Sequence, residues 1–177
     1  ERHNTNTIEL ANWLNTHPQI EKVNFTGLPS SPYYELAKKY LREGHFGYVF
    51  TFHLKGGYEA AKKFINNLKL ISHLANVGDA KTLVIHSAST THEQLNPAAQ
   101  AAAGVFPSAV RISVGLEHID DIKAGIEPVI QPFKMLFIFT FGKINGKFVW
   151  FITGFQQKFI YEPVYLVNSA VGISRCN

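Results

Sequence analysis

One arginine occupies a position from which it could bind an anion. Arg111 lies in segment 110–114, Val-Arg-Ile-Ser-Val, whose alternation of apolar and polar residues is typical of a two-faced β-strand. The alternation assigns Arg111 and Ser113 to the face opposite the aliphatic residues. A planar guanidinium held on a strand can donate two parallel hydrogen bonds to a carboxylate. From this segment alone, Arg111 could equally be an ordinary solvent-facing residue, and both interpretations stay open.

Residues 86–92, His-Ser-Ala-Ser-Thr-Thr-His, form a second polar segment directly after a short apolar run. Hydroxyl groups in such a loop either converge on a ligand or cap the following helix. The spacing of His86, His92 and His118 fits no ligand pattern such as His-Glu-x-x-His, so no metal site is predicted. Ser87 and Ser89 lack a Gly-x-Ser-x-Gly context, so no hydrolytic triad is predicted either.

The segments that must position these residues alternate between helices and strands. Helical periodicity predicts helices over 4–17, from Ser31, after Gly57, over 93–103 with a distortion at Pro97, and from Glu117. Aromatic and β-branched runs predict strands over 23–25, 46–54, 82–85 and 110–114. This order indicates an α/β layered domain, but the strand directions do not follow from the pattern.

Two of these helices carry patterns that make their burial predictable. In the second, the apolar residues recur at helical spacing and predict a buried stripe of Tyr33, Leu36, Ala37, Tyr40 and Leu41. In the third, the expected buried face consists of Phe64, Ile65, Leu68, Ile71 and Ala75. Glu117, Asp120 and Asp121 are expected in the first turns of the last helix, where carboxylates suit the positive end of its dipole.

The composition changes after Pro128. Eight of the fourteen phenylalanines fall in residues 126–177, and acidic residues almost vanish beyond Glu127. Asn145-Gly146 between two apolar runs predicts a β-hairpin with strands over 135–142 and 148–153. We therefore expect a domain over residues 1–127 and a Phe-rich tail over 128–177. This tail is either an added hairpin or a segment foreign to the domain.

Composition and charge limit the kinds of partner. The formal charge of +4 is spread over scattered lysines, which argues against a nucleic-acid-binding surface. The most apolar stretches are interrupted by lysines and fall short of the roughly 20 residues of a spanning helix, so no membrane partner is expected. The single cysteine, Cys176, has no partner for an internal disulfide, which suits a reducing compartment, and we expect the cytoplasm.

Three collinear motifs resemble the C-terminal domain of the Cys/Met-metabolism family of pyridoxal-phosphate enzymes. They are Ala-Asn-Val-Gly-Asp-Ala-Lys-Thr-Leu-Val-Ile-His at 75–86, Ser-Thr-Thr-His at 89–92, and Val-Arg-Ile-Ser-Val-Gly-Leu-Glu-His-Ile-Asp-Asp-Ile at 110–122. Gly-Leu-Pro at 27–29 and Tyr-Glu-Leu-Ala-Lys-Lys-Tyr-Leu at 34–41 extend the resemblance to residues 1–125. Within the family, the chain is most similar to the O-acetylhomoserine sulfhydrylases.

The resemblance implies the small C-terminal domain of a fold-type I enzyme, in which helices cover one face of a sheet. It implies that Arg111 binds the α-carboxylate of a small amino-acid substrate and that Asn76 and Thr91 line the same site. The implied reaction converts O-acetylhomoserine and sulfide to homocysteine and acetate, with pyridoxal phosphate as electron sink. Relatives in the family are homo-oligomeric. Ser87 stands where the family usually has proline, which implies a local difference in the loop.

The resemblance also implies that essential parts of the enzyme lie upstream of residue 1. No lysine of this chain matches the Schiff-base motif, and no cofactor-binding or catalytic residue is predicted within it. We therefore expect a truncated chain that is inactive by itself. Two alternatives stay open: a non-catalytic interaction module that pairs with a full-length relative, and a non-functional product.

Overall fold

The computed structural model describes residues 1–131 and the backbone of 136–144 and 147–155. The chain divides after Gln131 into two units, which are described separately. The first unit contains five α-helices, a short 3₁₀-helix at Ser87–Ser89 and a five-stranded sheet. Its helices are α1 (Arg2–Thr16), α2 (Tyr34–Tyr40), α3 (Gly57–Asn67), α4 (Pro97–Ala102) and α5 (Ile119–Ile130). Its strands are β1 (Ile20–Asn24), β2 (Val49–Leu54), β3 (Ser72–His73), β4 (Leu83–Ile85) and β5 (Ala109–Ser113).

The sheet is mixed, with the strand order β1-β2-β5-β4-β3. β3 and β4 run parallel, whereas the other neighbouring pairs are antiparallel. β5 is therefore the central strand, although it is the last of the five in the sequence. The α/β fold class expected from the sequence is confirmed, and the structure adds the pairing and the strand directions.

The core lies between one face of the sheet and helices α1, α3 and α5. Residues of alternate positions on the strands, such as Phe52 and Ile112, are fully buried there. They pack with side chains that recur at helical spacing on the three helices, namely Leu10, Leu14, Phe64, Ile65, Ile122 and Ile126. Burying side chains of this size stabilises the fold by roughly 1.5–3 kcal/mol each. The expected layering, with helices on one face, follows from this packing.

The structure corrects the extent of two predicted helices. α3 ends at Asn67, because Leu68 adopts an extended conformation, and Ala75 from its predicted buried face is exposed. Residues 93–96 precede α4 instead of forming its first turn. The side chain of Asn96 caps α4 by accepting a hydrogen bond from the Ala99 N–H.

The structure also corrects the predicted burial of α2. Of its apolar stripe only Ala37 is buried, and the others are 45–72% exposed: Tyr33, Leu36, Tyr40 and Leu41. Helical spacing in a sequence indicates an apolar face, but burial needs a neighbouring element that covers it. In residues 1–131 no such element covers the stripe.

The second unit contains two antiparallel strands, β6 (Leu136–Ile144) and β7 (Lys147–Phe155). Their register pairs Leu136 with Phe155 at one end and Ile144 with Lys147 at the other. The sequence predicts shorter strands, over 135–142 and 148–153. The predicted turn residues Asn145 and Gly146, like Cys176, lie outside the described residues. No helix in the described part of the chain is long and apolar enough to cross a membrane.

Candidate functional site

Arg111 lies in the middle of the central strand, on the face that the three core helices do not cover. Val110 and Ile112, its neighbours in the chain, are fully buried in the core, whereas Arg111 itself is half-buried. The register places Arg111 opposite Thr51 of β2 and Ile85 of β4. Strands on both sides therefore hold the backbone that carries the guanidinium.

The Arg111 side chain reaches the loop between β3 and β4. Its Nη2 donates a hydrogen bond to the backbone carbonyl of Asn76 over 3.4 Å. Ser113, two residues further along β5, accepts a hydrogen bond from the Gly78 N–H over 3.3 Å. Both polar residues of β5 thus hold this loop, and the exposed Asn76 lies beside the guanidinium.

Gly78 allows this loop to pass close to the sheet. Its φ of +72° lies in the left-handed region that glycine tolerates best. A Cβ at this position would lie 3.3 Å from the Tyr48 Oη, so the neighbouring side chain also limits the space. Glycine therefore keeps residues 76–78 near Arg111 without backbone strain.

A buried set of hydrogen bonds holds the base of the loop. Glu117 accepts from the Thr82 N–H over 2.7 Å with Oε1 and from the Thr82 hydroxyl over 2.8 Å with Oε2. The Thr82 hydroxyl oxygen accepts in turn from the Gly115 N–H over 2.9 Å. From α1, Asn6 donates to the carbonyls of Gly115 and Glu117. We call these four residues the Glu117 clasp.

The clasp corrects the predicted role of Glu117. The sequence places this carboxylate in the first turn of the last helix, but α5 begins at Ile119 with His118 as its cap. Glu117 instead satisfies the backbone and hydroxyl groups of the fully buried Thr82. Sequence reasoning missed this role, because the partners are 35 residues apart and no local pattern links them.

Thr91 lies in a different loop from Asn76. Its hydroxyl is exposed and forms a 2.8 Å hydrogen bond with Nδ1 of the adjacent His92. Within residues 1–131, no hydrogen bond joins Thr91 to Arg111 or Asn76. Of the three predicted site residues, the structure therefore links Arg111 with Asn76 directly and Thr91 with neither.

His86 is the most buried polar group near this second loop. Its Nε2 faces the Pro107 carbonyl at 2.8 Å, and its Nδ1 lies 2.8 Å from the Ser89 Oγ. A carbonyl only accepts, so Nε2 donates its proton and Nδ1 accepts from Ser89. Burial lowers the pKa of His86, and the charges of His73 and Lys62 add to this effect. His86 is a structural anchor of the loop.

A third polar group lies further along the same face as Arg111. His53 of β2 contacts the Asn24 side-chain amide through Nε2 at 3.1 Å and the Ser108 Oγ through Nδ1 at 3.0 Å. Burial and the nearby Lys22 lower its pKa. His53 was not among the predicted site residues. The available signal was the alternation of residues 49–54, which places His53 and Thr51 on the face opposite Phe52.

The described residues bring the Arg111 guanidinium and the loop that carries Asn76 together on one face of the sheet. No group of three or more His, Cys, Asp and Glu side chains among them could hold a metal ion. Several lysines of residues 1–131 are engaged away from Arg111: Lys38 with Glu35, Lys81 with Ser72, and Lys123 with Glu9. The arrangement can bind and orient a planar anion, since a half-exposed guanidinium has donors left to offer.

Comparison with known proteins identifies the family of this chain. The family described as Cys/Met metabolism PLP-dependent enzyme matches residues 1–131, and the chain belongs to this family. It is 59% identical over 130 residues to O-acetyl-L-homoserine sulfhydrylase 1 of Thermus thermophilus, and the match covers 73% of this chain and 31% of that protein. It is 53% identical over 131 residues to O-acetyl-L-homoserine sulfhydrylase of Leptospira meyeri, covering 74% of this chain and 30% of that protein.

A solved structure extends the comparison to the fold. The Campylobacter jejuni protein named as an O-acetylhomoserine (thiol)-lyase superimposes with a TM-score of 0.70 at 38% sequence identity. The match covers 74% of this chain and 31% of that one, which carries a pyridoxyl-lysine group. The chain thus spans about a third of the length of the relatives it matches. The resemblance deduced from the motifs is confirmed.

The family depends on pyridoxal phosphate. A Schiff base needs a lysine amine beside the substrate site. No described contact brings a lysine of residues 1–131 to Arg111 or Asn76. The Arg111 guanidinium could therefore pair with a carboxylate, whereas no described contact supplies the lysine that a Schiff base with the cofactor needs.

Proposed function

We propose that this chain is the C-terminal, substrate-carboxylate-binding part of an O-acetylhomoserine sulfhydrylase-like enzyme. In the complete enzyme, sulfide replaces the acetate of O-acetylhomoserine and homocysteine is formed. Arg111 binds the substrate α-carboxylate, and Asn76 and Thr91 line the site. By itself the chain is inactive, because the described residues supply no Schiff-base lysine.

The observation that carries the proposal is the position of the Arg111 guanidinium. It stands on the central strand, outside the helix-covered core, and one of its donors is fixed by the Asn76 carbonyl at 3.4 Å. A side chain already tethered at one edge loses less conformational freedom when it binds an anion at the other. A paired guanidinium and carboxylate would then set the orientation of the amino acid relative to the rest of the enzyme.

A chimera tests the proposal. In the Thermus thermophilus relative, the 130 aligned residues are replaced by those of this chain, and homocysteine formation is measured. We expect the chimera to be active and the isolated chain to form no homocysteine. Arg111→Ala in the chimera should raise the KM for O-acetylhomoserine by about tenfold to a hundredfold, since a charge-assisted bidentate contact contributes about 1.5–3 kcal/mol.

The matched control is Arg42→Ala. Arg42 is a surface arginine that pairs with Glu1 over 3.4 Å and has a 72% exposed side chain. Its removal should leave the KM unchanged, because an exposed ion pair contributes little. Equal KM values for the parent chimera and the Arg111→Ala variant would contradict the assigned role. A folded chimera without any activity would favour the alternative of a non-catalytic interaction module.

A further inference from the structure

Ser113 lies beneath the loop between β3 and β4. Its side chain is 2% exposed, whereas Gly78 of the loop is exposed to solvent. The register places Ser113 between Val49 of β2 and Leu83 of β4, which are both apolar. The paired positions on the neighbouring strands therefore offer the hydroxyl no polar side chain, and its described partner is the Gly78 N–H at 3.3 Å.

The middle of this loop has few connections to the sheet. Backbone hydrogen bonds hold its two ends, at Leu74 and at Ala80. Between these ends, in the described part of the chain, two hydrogen bonds connect residues 75–79 to the sheet. One comes from the Arg111 guanidinium, and the other is accepted by the Ser113 hydroxyl. The position of the segment therefore depends on the two polar residues of β5.

The two connections differ in how firmly they are held. The Arg111 side chain is long and loses much conformational freedom when it is fixed, so it cannot fix a movable loop by itself. Ser113 carries a short, buried side chain on the central strand, and its hydroxyl has little freedom to move. The Asn76 carbonyl can therefore hold the guanidinium only because Ser113 holds the loop.

We propose that Ser113 is a positioning residue for the substrate carboxylate. Its hydroxyl fixes residues 75–79, so that the Asn76 carbonyl keeps the Arg111 guanidinium ready to bind. This inference rests on the proposed function, because it assigns to Ser113 an effect on the carboxylate that Arg111 binds. A site that is already ordered loses less freedom on binding. Removal of one neutral hydrogen bond from it should raise the KM about twofold to tenfold.

Kinetics of the chimera with the Thermus thermophilus relative test the effect on binding. Ser113→Ala should raise the KM for O-acetylhomoserine about twofold to tenfold and leave kcat within about twofold, because the carboxylate contact is the same in the ground state and the transition state. The matched control is Ser108→Ala. The Ser108 hydroxyl lies 3.0 Å from Nδ1 of His53 and away from residues 75–79, so its removal should leave the KM unchanged.

A double-mutant cycle tests whether Ser113 acts through Arg111. In the Arg111→Ala chimera the guanidinium is missing, so the additional change Ser113→Ala should leave the KM almost unchanged. The same fold increase with and without Arg111 would show an independent effect and would overturn the proposal.

Amide hydrogen exchange of the full chain, followed by NMR, tests the hydrogen bond without any activity. Ser113→Ala should speed exchange at Gly78 and its neighbours in the loop, and it should leave the exchange of β5 unchanged, because the strand ladder does not use the hydroxyl. Equally fast exchange at Gly78 in both chains would overturn the proposal. Faster exchange throughout residues 1–131 would also overturn it, since it would show a general structural role.

The outcomes separate this inference from the proposed function. If Arg111→Ala raises the KM and Ser113→Ala does not, Arg111 keeps its role and the positioning role of Ser113 is wrong. If neither variant changes the KM, the proposed function fails, and the inference that rests on it fails as well.

Discussion

The Glu117 clasp allows a quantitative prediction about stability. Glu117→Ala removes the acceptor of two hydrogen bonds, those from the Thr82 N–H at 2.7 Å and from the Thr82 hydroxyl at 2.8 Å. Thr82 is fully buried, so water cannot replace the lost partner without a rearrangement. Each buried donor left without an acceptor costs about 1–3 kcal/mol. We expect the free energy of unfolding to fall by about 2–4 kcal/mol, which allows for partial access of water to the half-buried carboxylate.

Urea unfolding, monitored by the circular dichroism signal of the helices, measures this loss in the free energy of unfolding. The matched control is Asp121→Ala, which removes an exposed carboxylate from the first turn of α5. Its loss should cost about 0.3–1 kcal/mol through the helix dipole alone. If the two variants differ by less than about 0.5 kcal/mol, the clasp does not contribute the stability assigned to it. Glu117→Gln, which keeps one acceptor for Thr82, should fall between the two.

Two further predictions concern the pH dependence and the core. The pKa of His86 and that of His53 lie below the ordinary value of 6.5 in the folded chain, so protonation favours the unfolded state. The contribution of the two neutral histidines to the free energy of unfolding should be fully present above pH 6.5. It should fall with decreasing pH by up to about 1.4 kcal/mol per pH unit for each histidine. Urea titrations between pH 8 and 5 measure this dependence, and a flat profile would contradict the lowered pKa values. Phe64→Ala should cost about 3–5 kcal/mol, because Phe64 is 2% exposed, whereas Tyr40→Ala at 72% exposure should cost less than about 1 kcal/mol in the same assay. Equal costs for Phe64 and Tyr40 would show that the exposed α2 face is covered in solution.

The local elements were largely predictable, because periodicity reports which residues share a face. The helix ending before Pro18 and the alternation of β5 follow from adjacent residues alone. The α2 stripe shows the limit of this reasoning. Its spacing matches a buried helix, yet Leu36 is 52% exposed, since burial depends on what lies opposite.

The sequence by itself determined the fold class, the family and the face of β5 on which Arg111 stands. Only the tertiary structure decided that β5 occupies the centre of the sheet, that Arg111 donates to the Asn76 carbonyl, and that Glu117 holds Thr82 instead of starting a helix. The physical reason is the distance along the sequence over which each feature acts. Alternation and helical spacing arise from backbone geometry within a few residues, whereas the Arg111–Asn76 and Glu117–Thr82 hydrogen bonds each join residues that are 35 positions apart.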